Sequence, residues 1–193
     1  HKAAPGKSFV IQRNGHDAGA TNGAVTRLTT ALTADDEETR SQAAADLAHL
    51  GADALAAAPH LLAALRDPAE AVRLNAAHAL GAMGEPLIPA LISALTEEAI
   101  AMADQISAKM PGNPRGSNPP ACFAAHALVA IGQPAVASLL NLLHHDHWCV
   151  RAMAVDTLGN LGPLAQSATT AVAALLNDAH PRVRRHAAEA LGR

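Results

Sequence analysis

The chain repeats itself with a period of 33 residues, and this feature limits its fold more than any other. Four segments superimpose, and they are TRSQAAADLAHLG from Thr39, VRLNAAHALGAMG from Val72, VRAMAVDTLGNLG from Val150 and VRRHAAEALGR from Val183. Arg40 and Arg73 are 33 positions apart, and so are Arg151 and Arg184. A fifth copy, ACFAAHALVAIG from Ala121, keeps the AAHAL core but lacks the Val-Arg start. A fixed period of this length is typical of folds built from stacked units.

Each unit is predicted to form two helices. Val72, Ala76 and Leu80 recur at the spacing of one helix face, and Gly84 then ends the pattern. A second apolar helix begins near Leu87. Glycine recurs at the matching point of the other copies, at Gly51, Gly132 and Gly162. A unit of this size cannot cover its own apolar face, so the units must stack. The sequence predicts an all-α fold, a right-handed α-solenoid of four to five helix pairs over residues 34–193.

The composition limits the classes of partner that the chain is expected to bind. The chain is 50% hydrophobic and 16% charged, with a formal net charge of −3, so it lacks the basic surface expected of a nucleic-acid-binding protein. We find no apolar run near the roughly 18 residues of a membrane span, and expect no membrane contact. Two cysteines, Cys122 and Cys149, fit a reducing, cytoplasmic location. We expect a protein partner, while the oligomeric state stays open.

The repeat pattern also resembles a known family. The series D-x-x-x-x-V-R-x-x-A-A-x-A-L-G-x-x-G, seen best at 67–84 and 178–192, resembles HEAT repeats, and more narrowly the short HEAT-like repeats of phycobilin lyase subunits. The resemblance implies that an Asp in each inter-repeat turn and the Arg of the next helix form a structural hydrogen-bond ladder. Asp67, Arg73, Asp178 and Arg184 would then be architectural. A row of anion-binding arginines is the alternative interpretation.

An insertion interrupts the repeat between the second and third copies. Leu80 and Leu128 occupy equivalent positions but are 48 residues apart. The helical phase continues for about four turns past the usual end, and the segment PGNPRGSNPP follows. We interpret about 96–120 as an inserted arm, with Met110 and Arg115 as candidate partner-binding residues. A tolerated surface loop is the alternative.

A second departure is the sequence HHDHW, from His144 to Trp148, at the turn before the fourth unit. His147 and His180 are 33 residues apart, so they occupy equivalent positions in neighbouring units. Imidazoles with a carboxylate suit zinc, iron or nickel. His144, His147 and His180 are therefore candidate metal ligands, the alternative being solvated helix ends. Trp148 is expected to cap the hydrophobic core.

Residues 1–33 do not fit the repeat and form a separate segment with a capping helix. The run 7–13 is a strand candidate, and a helix is predicted from about Asn22. His1 and Arg13 resemble the last metal-binding His and the co-substrate-binding Arg of phytanoyl-CoA dioxygenase-like 2-oxoglutarate/iron oxygenases. On that resemblance the solenoid would be the carboxy-terminal appendage of such an enzyme. The chain would then be a fragment of a longer protein.

We find no catalytic or cofactor-binding motif beyond the hypothetical zinc or iron site. The leading interpretation is a non-catalytic protein-binding scaffold, part of a larger protein or complex. It would present the arm and a concave face of second helices, with His60, Leu91, Leu95 and Leu139 as candidate residues. The alternative is the helical part of an enzyme, either a bilin-lyase-like subunit or the oxygenase appendage. With 2% aromatic residues, a site for a large planar tetrapyrrole is the less attractive of these.

Overall fold

The computed structural model describes residues 18–109 and 122–193, and these two stretches are all-α. They contain ten α-helices, which are α1 (Ala18–Ala31), α2 (Glu37–Leu50), α3 (Ala58–Ala64), α4 (Glu70–Met83), α5 (Ile88–Lys109), α6 (Phe123–Ile131), α7 (Val136–Leu142), α8 (Trp148–Leu161), α9 (Thr169–Ala174) and α10 (Pro181–Leu191). Short 3-10 segments join the helices of each unit at Gly51–Ala57, Glu85–Leu87, Gln133–Ala135 and Gly162–Ala168.

The helices form the predicted solenoid. The first helices of successive units pack side by side in the order α2, α4, α6, α8 and α10, and the second helices α3, α5, α7 and α9 lie behind them. One repeat position faces this core in every unit and is 3% exposed or less, at Ala43, Ala76, Ala124, Ala154 and Ala187. A methyl group at this position lets neighbouring backbones approach closely, which explains the abundance of alanine.

Glycine ends the first helices as the sequence predicts. Gly84 and Gly132 have φ angles of 84° and 86°, a region that L-residues with a side chain rarely adopt. Gly51 and Gly162 also have positive φ at the corresponding helix ends. The chain therefore reverses at the same point of each unit.

Helix α5 departs from the pattern as its periodicity predicts. It has 22 residues, whereas the equivalent helices α3 and α7 have seven each. We call the part of α5 beyond Leu95, residues 96–109, the α5 extension. It packs against α6 and α8, where Ala99 and Ala103 are 1% and 3% exposed. The rest of the predicted arm, with Met110 and Arg115, lies outside the described residues.

The expectation that no apolar stretch approaches the length of a membrane span is corrected. Glu85–Asp104 is a 20-residue stretch with a mean hydropathy of 1.3, long and apolar enough by length and composition. The α6–α7 pair, bent by 116°, passes the same test. In this fold Leu91 and Leu95 of the first stretch are fully buried among the other helices. Of the window that passes the test, 33% is buried inside the fold, and core helices of other proteins pass the same test.

At the amino-terminal side, α1 packs against α2 and the segment Gly51–Ala57. It begins at Ala18, four residues before the predicted start, and its Val25 is buried, as is Leu32 directly after its end. The strand candidate at 7–13, together with His1 and Arg13, lies outside the described residues.

The predicted concave face needs a further correction. Leu91, Leu95 and Leu139 have no exposed surface, so they are core residues, and only His60 of that set is exposed.

Candidate functional site

Two arginine–aspartate pairs link neighbouring units. Arg151 donates from Nε to Asp178 Oδ2 at 2.8 Å and from Nη2 to Oδ1 at 2.9 Å. Arg40 forms the same fork with Asp67, at 2.7 and 2.9 Å. The arginines hold the pKa of both carboxyl groups below the ordinary value, because hydrogen bonds from the guanidinium favour the charged form.

Each aspartate pairs with the arginine of a different helix from the one that the resemblance implied. The resemblance implied that each Asp pairs with the Arg of the following helix, but the carboxylate is bound by the Arg of the preceding helix. The following arginines bond to the main chain instead. Arg73 Nη1 donates to the carbonyl oxygen of Asp67 at 2.6 Å, and Arg184 Nη1 to that of Asp178 at 2.8 Å. Arg40 and Arg151 were missed, although their repeat position was visible in the sequence.

Among the described residues, this ladder has no pair in the middle of the solenoid. No carboxylate among the described residues pairs with Arg73, whose guanidinium carbon lies 4.9 Å from the centre of the Phe123 ring. The sequence 110–121 contains no Asp or Glu. Helix α6 also lacks an Arg at the repeat position, which Ala121 occupies. The α5 extension therefore packs where no arginine–aspartate pair within 18–109 and 122–193 joins the units.

The HHDHW segment forms an aromatic stack. The rings of Trp148 and His180 are stacked with centroids 4.0 Å apart and planes 11° apart. The ring of His147 lies 6.4 Å from Trp148, and the guanidinium carbon of Arg182 lies 5.4 Å from the indole centroid. Trp148 is partly buried against the core, in the capping position expected of it.

The described residues do not assemble the predicted metal ligands. They contain no group of three or more His, Cys, Asp or Glu side chains arranged to hold a metal ion. The ring of His180 is stacked on Trp148, and His144 is exposed to solvent. His147 Nδ1 lies 2.7 Å from Cys149 Sγ. Burial raises the pKa of Cys149 to about 11, so its thiol stays protonated at neutral pH beside that nitrogen.

His180 has a structural role at the start of α10. Its Nδ1 accepts a hydrogen bond from the Arg182 N–H at 3.3 Å, so the ring acts as the helix N-cap. Burial lowers the pKa of His180, and the charge of Arg182 lowers it further. The imidazole of His180, which is stacked on Trp148, is therefore uncharged at neutral pH.

An apolar cleft lies where the two departures from the repeat meet, and we call it the α5 cleft. It is a narrow cleft with a cavity volume of about 30 Å³, between the α5 extension, α8 and α10. Met102 comes from the extension, Trp148 from the HHDHW segment and Met153 from the middle of α8. Ala99, Ala103, Cys149 and Ala152 complete the apolar lining.

Three polar side chains bound the α5 cleft, namely Arg182, His186 and Asp156. His186 Nδ1 is buried without a hydrogen-bond partner and lies 3.9 Å from Asp156 Oδ1. His186 and then Arg193 lower the pKa of Asp156. The sequence pointed to Met102 by its helical phase and to Trp148 by its cluster. The sequence contained no signal for Arg182 or His186. These residues lie near α5 only because of the way α10 packs against α8, which the sequence pattern does not show.

Comparison with known proteins agrees with this fold. The family model described as HEAT repeats matches residues 25–106 and 136–193. The chain belongs to the HEAT-repeat family, as the resemblance of its repeats implied. No curated protein matches the chain.

Several solved structures are similar to the chain. One engineered protein is 21% identical over 87% of this chain and 95% of its own, with a TM-score of 0.33. A second is 24% identical over 86% of this chain, which spans 46% of it, with a TM-score of 0.40. A designed armadillo repeat protein is 22% identical over 88% and 82% of the two chains, with a TM-score of 0.41. At these values the likenesses carry no functional argument.

Proposed function

We propose that the chain is a protein-binding scaffold that holds a bulky apolar side chain of a partner protein in the α5 cleft. One observation carries the proposal. The α5 extension and the HHDHW segment are separate departures from the 33-residue period, and Met102 and Trp148 bring them to one cleft. Deviations from an otherwise regular pattern tend to mark functional positions.

The lining of the α5 cleft supports an apolar anchor. Trp and Arg are the residue types that carry much of the energy at protein interfaces, and here Trp148 and Arg182 lie together. Met102 and Met153 add flexible, polarisable side chains that adapt to different shapes. With a cavity volume of about 30 Å³ the α5 cleft is far smaller than ligand pockets, which span roughly 300–1,000 Å³. A tetrapyrrole does not fit, and a partner side chain enters the cleft only when the α5 extension moves outward.

The enzymatic alternatives gain no support from the described residues. Within the described part of the chain, Trp148 is the only Phe, Tyr or Trp side chain that lines the α5 cleft, which does not favour a bilin-lyase-like subunit. The oxygenase appendage depends on His1 and Arg13, outside the described residues. A cytoplasmic location and the lack of nucleic-acid and membrane partners belong to the same proposal.

A peptide selection tests the proposed function. A displayed random-peptide library is selected on the whole chain, and the affinities of the recovered peptides are measured by calorimetry. We expect peptides that share a large apolar residue, and Trp148→Ala to weaken their binding about thirtyfold, as at an interface hot spot. Leu74→Ala is the matched control, because Leu74 is 37% exposed and does not line the α5 cleft. Selected peptides that bind Trp148→Ala as tightly as the wild type would overturn the proposal.

A further inference from the structure

Glu98 places a carboxyl group between the α5 extension and α6. Its Oε1 is buried and has no hydrogen-bond partner among the described residues. The N–H groups of Phe123 and Ala124, at the start of α6, and the thiol of Cys122 interact with this carboxyl group. Glu98 therefore faces the amino-terminal end of a helix that belongs to the next unit.

The first N–H groups of helix α6 need a hydrogen-bond acceptor from outside the helix. It begins at Phe123, which is equivalent to Asn75, whereas α4 begins five residues earlier in the repeat at Glu70. Its own N-cap residue, Cys122, makes no side-chain capping hydrogen bond. A carboxyl oxygen accepts hydrogen bonds from the first N–H groups of a helix whether the carboxyl group is neutral or ionised, so it caps that end in either form. Glu98 supplies this oxygen from a different helix, so it connects the α5 extension to α6.

Residues 96–104 also make apolar contacts with the core. Ala99 and Ala103 are buried, and Ile100 and Met102 are partly buried. No arginine–aspartate pair among the described residues joins α4 to α6. The Glu98 carboxyl group therefore adds a titratable group to a contact that is otherwise apolar.

We propose that Glu98 is a proton-controlled latch. In its neutral form it fastens the α5 extension to α6, and its ionisation loosens the extension and opens the α5 cleft. The inference does not depend on what the α5 cleft binds, because it concerns the wall of the cleft and not its occupant.

The electrostatic surroundings support this direction. Burial raises the pKa of Glu98, since the charged form loses its hydration. The Cys122 thiol, the charge of Arg66 from the turn before α4, and the N–H groups of α6 act in the opposite direction without reversing the shift. On the same helix, Glu97 is paired with Arg66 and Asp104 is exposed.

The direction of the pH dependence follows from the difference in proton binding between the docked and undocked states. A docked state with a raised pKa binds the proton more tightly than the undocked state. Docking is therefore strongest below the ordinary Glu pKa of 4.5 and weakens as pH rises through the raised value. Each unit by which docking raises the pKa changes the docking equilibrium about tenfold.

The experiment uses Trp148 as a reporter, because it is the only tryptophan and lines the α5 cleft beside the extension. Acrylamide quenching of Trp148 is measured between about pH 4.5 and 8.5 for the wild type, Glu98→Gln and Glu97→Gln. We expect quenching to increase with pH in the wild type and in Glu97→Gln, and to stay low in Glu98→Gln. All three proteins contain the same histidines, so the difference between their profiles isolates Glu98.

A second measurement needs no variant. Amide hydrogen exchange of the wild type, corrected for intrinsic rates, should show protection falling with pH in residues 96–104 and not around Leu91. Identical quenching profiles in the wild type and Glu98→Gln would overturn the latch. Protection in residues 96–104 that does not change with pH would overturn it as well. Neither result bears on peptide binding, so the latch and the proposed function fail separately.

Discussion

Arg151 donates two hydrogen bonds to Asp178 across 27 residues of chain, at 2.8 and 2.9 Å. The Arg lies in the first helix of one unit and the Asp in the turn that enters the next. A bidentate fork fixes both distance and orientation. Each pair of this kind therefore sets the relative position of two neighbouring units.

Replacing this carboxylate should destabilise the fold. We expect Asp178→Asn to lower the free energy of unfolding by about 1–2 kcal/mol, because one guanidinium donor loses its acceptor and the charge attraction disappears. Urea unfolding measures the change.

Glu97→Gln is the control for that substitution. Glu97 also pairs with an arginine, Arg66, at 2.7 Å, but both side chains are about 60% exposed. Exposed pairs of this type contribute less than about 1 kcal/mol. Equal effects of the two substitutions would contradict a structural role for the ladder.

His180 should make stability depend on pH. Burial lowers its pKa from the ordinary 6.5, so the unfolded chain binds the proton more readily than the folded one. The stability that results is fully present above about pH 6.5 and is lost as pH falls below it. His180→Asn keeps a capping side chain but does not titrate. Between pH 7.5 and 5.5 the urea midpoint should fall more in the wild type than in this variant, and parallel curves would refute the assignment.

Two glycine substitutions should have opposite effects. A Cβ on Gly81 of α4 would lie 2.5 Å from the Cβ of Ala130 in α6, so Gly81→Ala should cost about 1–3 kcal/mol through overpacking. A Cβ on Gly23 of α1 meets only the end of the Arg27 side chain, at 3.7 Å. Gly23→Ala should stabilise the protein by about 0.5–1 kcal/mol, because alanine loses less backbone entropy in a helix. Thermal unfolding compares the two, and a stabilised Gly81→Ala would show that α4 and α6 are farther apart than described.

Enlarging a buried alanine should push the α5 extension away. Ala99 is 1% exposed and lines the α5 cleft, so Ala99→Leu should destabilise the protein by about 1–3 kcal/mol and increase acrylamide quenching of Trp148. Ala101 lies on the exposed face of the same helix, and Ala101→Leu should change stability by less than about 0.5 kcal/mol. Unchanged quenching in Ala99→Leu would mean that the extension does not form this wall.

The sequence predicted the repeat architecture because the same physical requirement recurs in every unit. Ala76 and its equivalents face the core, and Gly84 and its equivalents end helices, so each copy supports the prediction made from another. The length of α5 was also predictable, because its apolar phase simply continues.

The details of the site were not predictable in the same way. A period of 33 residues places His147 and His180 at equivalent positions, but it does not show that the indole of Trp148 stacks directly on His180. The spacing also leaves open whether Asp67 pairs with Arg40 or with Arg73. Both questions depend on side-chain directions across neighbouring helices, which a one-dimensional pattern does not contain.

The gap in the arginine–aspartate ladder has a consequence for cooperativity. In a linear array, unfolding spreads from one unit to the next only as far as their interface couples them. Arg40–Asp67 couples the units at one end and Arg151–Asp178 those at the other, while no such pair among the described residues joins α6 to its neighbours. Helix packing alone couples the two ends through α6, so the contacts of α6 with α4, α8 and the α5 extension determine whether the ends melt in one transition or in two.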